Sequence, residues 1–175
     1  MKFLSLFGSV VDSIIVTLLM IPIAIDISIL ADRLSDPPKN AYYSKCVYDK
    51  NNFEQKALCD WVDQVVDHYD KICNNCMKRK GSYPITISWS KQSDKGTLGQ
   101  ALPGKFKCDI ELAIDENWVY DGGMKFRTTV LHEIGHCYGL EHDMDPTSLM
   151  YPSHNPGFTE KDVLRFVERL KELAN

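Results

Sequence analysis

The stretch HEIGHCYGLEH, residues His132 to His142, decides how the rest of the chain is read. On an α-helix of about 3.6 residues per turn, His132 and His136 stand one above the other on the same face. Two imidazoles so placed can hold one Zn²⁺ at about 2.0–2.1 Å each. Glu133 is too close to the first of them to be a natural third ligand. It is well placed to touch a water beside the metal, the general-base arrangement of H-E-x-x-H. A chance match on a solvated helix is the competing reading, and the residues that follow weigh against it.

Gly139 falls three residues after the second histidine, where a helix must stop and the chain reverse; glycine takes the required positive φ without steric cost. The reversal can swing His142 back as a third nitrogen ligand. Three protein ligands leave a fourth position open, which marks a catalytic and not a structural zinc. Met150 follows in Ser148-Leu-Met-Tyr-Pro152. H-E-x-x-H-x-x-G-x-x-H with a methionine turn is the metzincin signature. The chain resembles the metzincin metalloproteases, and the Leu149-Met-Tyr-Pro152 wording is most similar to their matrixin branch.

That resemblance implies an α+β zincin fold: a twisted mixed sheet, a long backing helix, an active-site helix, a Met-turn and a C-terminal helix. It implies one catalytic Zn²⁺ on His132, His136 and His142, and hydrolysis of peptide bonds with Glu133 as general base and then acid. Met150 would form an apolar floor under the imidazoles. In the astacin and serralysin branches a tyrosine two residues past the methionine reaches the metal; here that position is Pro152, so Tyr151 is not assigned as a ligand. Pro152 to Phe158 would line the pocket after the scissile bond. His154 lies in that stretch as a pocket-wall or surface residue. Substrate would lie as an extended strand along Asp109 to Ile114, engaging Ile110, Glu111 and Leu112.

Glu111 and Ala113 occupy the places where matrixins carry a structural-zinc histidine and a calcium-binding aspartate, so neither a structural Ca²⁺ nor a second Zn²⁺ is expected. Asp143 after the third histidine is an adamalysin feature, which makes the chain a divergent metzincin. The P-R-C-G-x-P-D latency segment does not occur in this sequence. A zinc-blocking thiolate from Cys46 is one alternative for latency. Two other functions stay open: a non-catalytic, zinc-stabilised binding module, and a zinc hydrolase acting on a non-peptide amide.

Composition is that of an ordinary globular chain, 44% hydrophobic and 25% charged over 175 residues. A net charge of −4 without a long basic block gives no electrostatic case for nucleic acid. Lys78-Arg-Lys80 reads as a solvated loop or helix end. The expected partner is a protein or peptide substrate, and the expected state a monomer. The six cysteines are even in number, as in exported disulfide-bonded chains. Structural bridges are expected among Cys46, Cys59, Cys73 and Cys76, while Cys137 either pairs with Cys108 or packs as a small hydrophobe.

Phe3 to Ile25 is almost wholly apolar, preceded by Lys2 and followed by Asp26, Asp32 and Asp36. About 20 such residues suffice to cross a bilayer, and the charge bias puts the N-terminus in the cytoplasm. Residues 1–30 are thus a membrane anchor or a cleaved signal peptide, 31–40 a linker around Asp36-Pro-Pro, and 41–175 the catalytic domain. That domain is membrane-anchored outside the cytoplasm, or secreted. Within it a strand is expected at Tyr42 to Tyr48. Phe53 to Ile72 carries a helical apolar stripe, opened by a capping pair of Asn52 and Gln55. His68 lies off that stripe as a surface residue. Strands follow at Ile85 to Trp89, Leu98 to Leu102 and Asp109 to Asp115. The helix of the histidines spans Lys125 to Tyr138. A last helix begins at Thr159, with a Phe158–Val163 staple and a stripe through Val163, Phe166, Val167, Leu170 and Ala174.

Overall fold

The computed structural model describes residues 41–78, 83–90, 97–113, 123–153 and 155–174. The anchor or signal segment, the linker and His154 lie outside the described residues. Among the described residues no helix is long and apolar enough to cross a membrane.

The elements run β1 (Ala41–Val47), α1 (Phe53–Ile72), β2 (Tyr83–Ser90), β3 (Gly99–Pro103), β4 (Cys108–Ala113), α2 (Met124–Cys137) and α3 (Glu160–Ala174). The architecture is α+β, as expected. In α1 the side chain of Asn52 accepts the amide of Gln55 at 3.0 Å, while the Gln55 side chain reaches back to the amide of Asp49 at 3.1 Å. Cys59, Val62, Val65, Val66 and Tyr69 form the buried stripe of this helix. Phe53 and Ile72, at its two ends, are exposed. At the start of α3, Asp162 accepts from both the amide and the hydroxyl of Thr159. Phe158 and Val163 are both buried beside that cap, in the two positions of a staple.

The sheet has four strands in the order β1-β2-β4-β3. β1–β2 and β2–β4 are parallel, and β3 runs antiparallel to β4. Ile85, Ile87 and Trp89 of β2 and Ile110 and Leu112 of β4 turn into the core, while Thr86, Ser88, Asp109 and Glu111 alternate to the other face.

This order corrects one expectation. β4 is paired on both sides, and Ile110 and Leu112 are fully buried, so it offers neither a free edge nor these side chains to a substrate strand. Glu111 is exposed, but on the face away from the core, opposite Gln100. Among the described residues the outer strands of the sheet are β1 and β3, and β3 is the one that lies against Glu133 of α2.

All six cysteines are paired: Cys46–Cys59, Cys73–Cys76 and Cys108–Cys137. The first bridge ties β1 to α1 and leaves no Cys46 thiolate. The second closes the turn after α1, where Asn74 and Asn75 both take positive φ. Buried Asp70 completes that turn by accepting the amides of Met77 and Lys78, each at 2.8 Å. The third joins β4 to the last residue of α2, directly after His136.

Candidate functional site

α2 ends in a Schellman motif. Gly139 takes φ 80°, its amide donates to His136 O at 2.9 Å, and the amide of Leu140 donates to Gly135 O at 3.0 Å. The chain therefore turns back along the helix instead of leaving it, and His142 returns to the face of His132 and His136. The three Nε2 atoms lie 3.1, 3.3 and 3.3 Å apart. Nitrogens at three corners of a tetrahedron around Zn²⁺ would stand about 3.3–3.4 Å apart, given bonds of about 2.0–2.1 Å.

The bonds at Nδ1 set what two of these rings offer. The Nδ1 of His132 is 2.7 Å from Leu149 O, and that of His136 is 2.7 Å from Leu140 O. A carbonyl only accepts, so each Nδ1 carries the proton and each facing Nε2 presents a lone pair. Facing lone pairs with no proton between them repel unless a cation lies among them. The residues present therefore fit a zinc ion, and this trio is a group able to hold a metal among the described residues. Burial, reinforced by the neighbouring imidazoles, pushes the His132 pKa down to about 4 and also lowers that of His136. Both rings are neutral near pH 7, the form in which imidazole binds metal.

The carboxylate of Glu133 lies beside the trio in a dry position. Burial pushes its pKa up to about 7, tempered by the backbone amide of Ala101. A carboxyl poised near neutrality can both take and return a proton. It packs against β3 at Gly99, where a Cβ would stand 2.9 Å from Glu133 Cγ and 3.0 Å from Oε1.

Met150 is fully buried beneath the helix. Its loop is closed by the amide of Asp143 donating to Met150 O at 2.9 Å. A Cβ at Gly135 would meet Met150 Sδ at 2.7 Å and Phe166 Cζ at 2.8 Å, so this glycine lets the methionine and α3 come up against α2. Tyr151 is half-buried just beyond, and Pro152 is exposed.

Four contributors carry no side-chain signal in the sequence: the carbonyls of Leu149 and Leu140, and the missing side chains of Gly99 and Gly135. Only the two glycines were visible in principle, one within a short strand and one inside H-E-x-x-H.

Three imidazoles converging on one point, with a buried carboxyl alongside, define a candidate metal-dependent hydrolytic site. The chain belongs to the matrixin family of metallopeptidases, whose family model matches residues 50–166. It is similar to a probable matrix metalloproteinase, 095L, of Invertebrate iridescent virus 3, 48% identical over 63 residues, or 33% of this chain and 16% of that one. It is also similar to matrilysin of Homo sapiens, 41% identical over 114 residues, or 58% of this chain and 41% of that protein. These matches span less than half the length of either relative. Among solved structures, an archaemetzincin from Methanopyrus kandleri aligns with a TM-score of 0.43 at 15% identity, covering 77% of this chain and 97% of that one.

Proposed function

We propose that this chain is a zinc-dependent endopeptidase in which His132, His136 and His142 hold the metal and Glu133 handles the proton. The single observation that carries the reading is the convergence of three Nε2 atoms at tetrahedral spacing, next to a buried carboxyl. When bound, Zn²⁺ supplies a water of lowered pKa and charge stabilisation for the carbonyl oxygen under attack. The Glu133 carboxylate accepts a proton from the attacking water and hands it to the leaving amine.

The binding edge follows from the register of β3. The amide of Ala113 donates to Leu98 O at 3.0 Å, and that of Gly104 to Lys107 O at 2.8 Å. Opposed residues in an antiparallel pair alternate between bonded and non-bonded. Gly99, Ala101 and Pro103 therefore turn their main-chain groups away from β4, toward the outer edge. A peptide added there as a further strand meets the carbonyls of all three residues, and the amide of Gly99. Met150 supports the imidazoles from below, and Tyr151 and Pro152 extend the wall beyond it. Three disulfides among three pairs of cysteines favour a compartment outside the cytoplasm, in line with the anchor or signal reading of residues 1–30.

Glu133→Ala tests the assignment. Zinc content by elemental analysis is expected to be unchanged, while cleavage of a peptide library falls by roughly 10²–10⁴-fold. Cleavage at the wild-type rate would remove Glu133 from the mechanism. Wild-type protein that holds zinc yet cleaves nothing in the library would point to a zinc-stabilised binding module.

A further inference from the structure

The contact between β3 and Glu133 is closer than strand–helix packing requires. A Cβ placed on Gly99 would stand 2.9 Å from Glu133 Cγ, 3.0 Å from its Oε1 and 3.1 Å from Leu112 Cδ2. Leu112 is fully buried on β4 and has no open space to retreat into, while the contacts on Glu133, 6% exposed, are to atoms of its flexible side chain. Glu133 stands on α2 between two residues that are themselves fixed, His132 by Leu149 O and Ile134 by complete burial. Its backbone therefore stays where it is, and an added methyl group must be absorbed by rotation of the Glu133 side chain. The same residue of β3 turns its amide and carbonyl to the outer edge, so one glycine touches both the carboxyl and the line along which a peptide would lie.

We propose that Gly99 is a positioning residue for the Glu133 carboxyl: the missing side chain on β3 sets where that carboxyl rests between the strand edge and the imidazole trio. This rests on the reading of Glu133 as the proton carrier. Gly99 acts through Glu133 and not on the metal, because its nearest atoms are those of Glu133 and Leu112 and none belongs to a histidine.

Gly99→Ala separates this role from simple packing. The variant is expected to retain one zinc per chain, with affinity within about twofold of wild type in a chelator competition. Its kcat on a library-derived peptide falls roughly tenfold or more, as expected when a reacting group is displaced by a fraction of an ångström to an ångström. KM changes little. Stability supplies a readout independent of activity: in urea melts of the metal-free protein, Gly99→Ala destabilises the wild type but has little effect in a Glu133→Ala background, where the crowding is relieved. If Gly99→Ala does not fold alone, folding restored by adding Glu133→Ala supports the assignment. Failure to restore it places the clash at Leu112 and overturns it. Wild-type kcat in Gly99→Ala, or equal destabilisation in both backgrounds, overturns it too. If the wild type itself binds zinc and cleaves nothing, the peptidase reading falls while the stability cycle still reports whether Gly99 and Glu133 are coupled.

Discussion

His132 and His136 owe their usefulness to two backbone carbonyls that appear in no motif. Leu149 O and Leu140 O fix the proton on Nδ1, which leaves both Nε2 atoms as acceptors. Glycines do comparable work by leaving room. Gly135 sits where a methyl group would collide with Met150 Sδ and the Phe166 ring at 2.7 and 2.8 Å. Gly135→Ala is accordingly expected to cost roughly 1–3 kcal/mol through overpacking, read as a lower urea midpoint at unchanged m-value. The methionine can bend away, but the ring is braced in α3, so a share of the strain should persist after repacking.

Between elements, one polar link brings three helices together. Tyr69 of α1 donates to Glu160 Oε1 at 3.0 Å, and Arg127 of α2 approaches Glu160 Oε2 at 3.3 Å at the start of α3. Burial, then the bond to Glu160, pushes the Tyr69 pKa up to about 12. A raised tyrosine pKa means the folded chain favours the protonated phenol, so its contribution is complete below about pH 10 and is lost as pH rises through about 12. Tyr69→Phe should lose about 0.5–1.5 kcal/mol at neutral pH, yet show a shallower fall in stability between pH 10 and 12. Paired denaturation series across that range check it. The bridge Cys108–Cys137, 29 residues apart, fastens α2 to the interior of the sheet. Replacing both of its cysteines by alanine is expected to cost about 2–4 kcal/mol. The same replacement at Cys73–Cys76, only 3 residues apart, should cost less, since a short loop has little closure entropy to lose. Thermal melts of the two double variants compare them directly.

What could be read in advance divides along physical lines. Helices announce themselves through local periodicity, so α1, α2 and α3 were legible from the apolar stripe, the histidine spacing and the Thr159 cap. The returning His142 was legible because Gly139 marks where the helix must reverse. Sheet order was not, because the alternation in β3 and β4 reports which face is buried and says nothing of which edge is free. Substrate was therefore expected along Asp109 to Ile114, a stretch whose strand β4 lies inside the sheet with β3 outside it. Cysteine pairing stayed undecided for Cys137 because pairing is a property of the finished fold.

At the scale of the whole molecule, the trio joins two ends of one short segment, so an ion held there should stabilise the folded chain by mass action. Free zinc at about a thousand times its dissociation constant would add roughly 4 kcal/mol. The melting temperature should rise with zinc, fall after chelation, and respond weakly or not at all in His142→Ala. Calorimetry with and without chelator reads this without any substrate.

A strand edge open to a peptide, as proposed for β3, is equally open to its own twin, and repeated pairing of that kind ends in fibres or precipitate. β3 limits the hazard by its composition. Gly99–Pro103 is only five residues long, and of its three outward positions the last is a proline with no amide to offer. Lys105 in the turn just past it would place like charges together in any edge-to-edge stack, while Lys107 is ion-paired with Asp109. An open border on β3 is thus a poor template for copies of the chain itself.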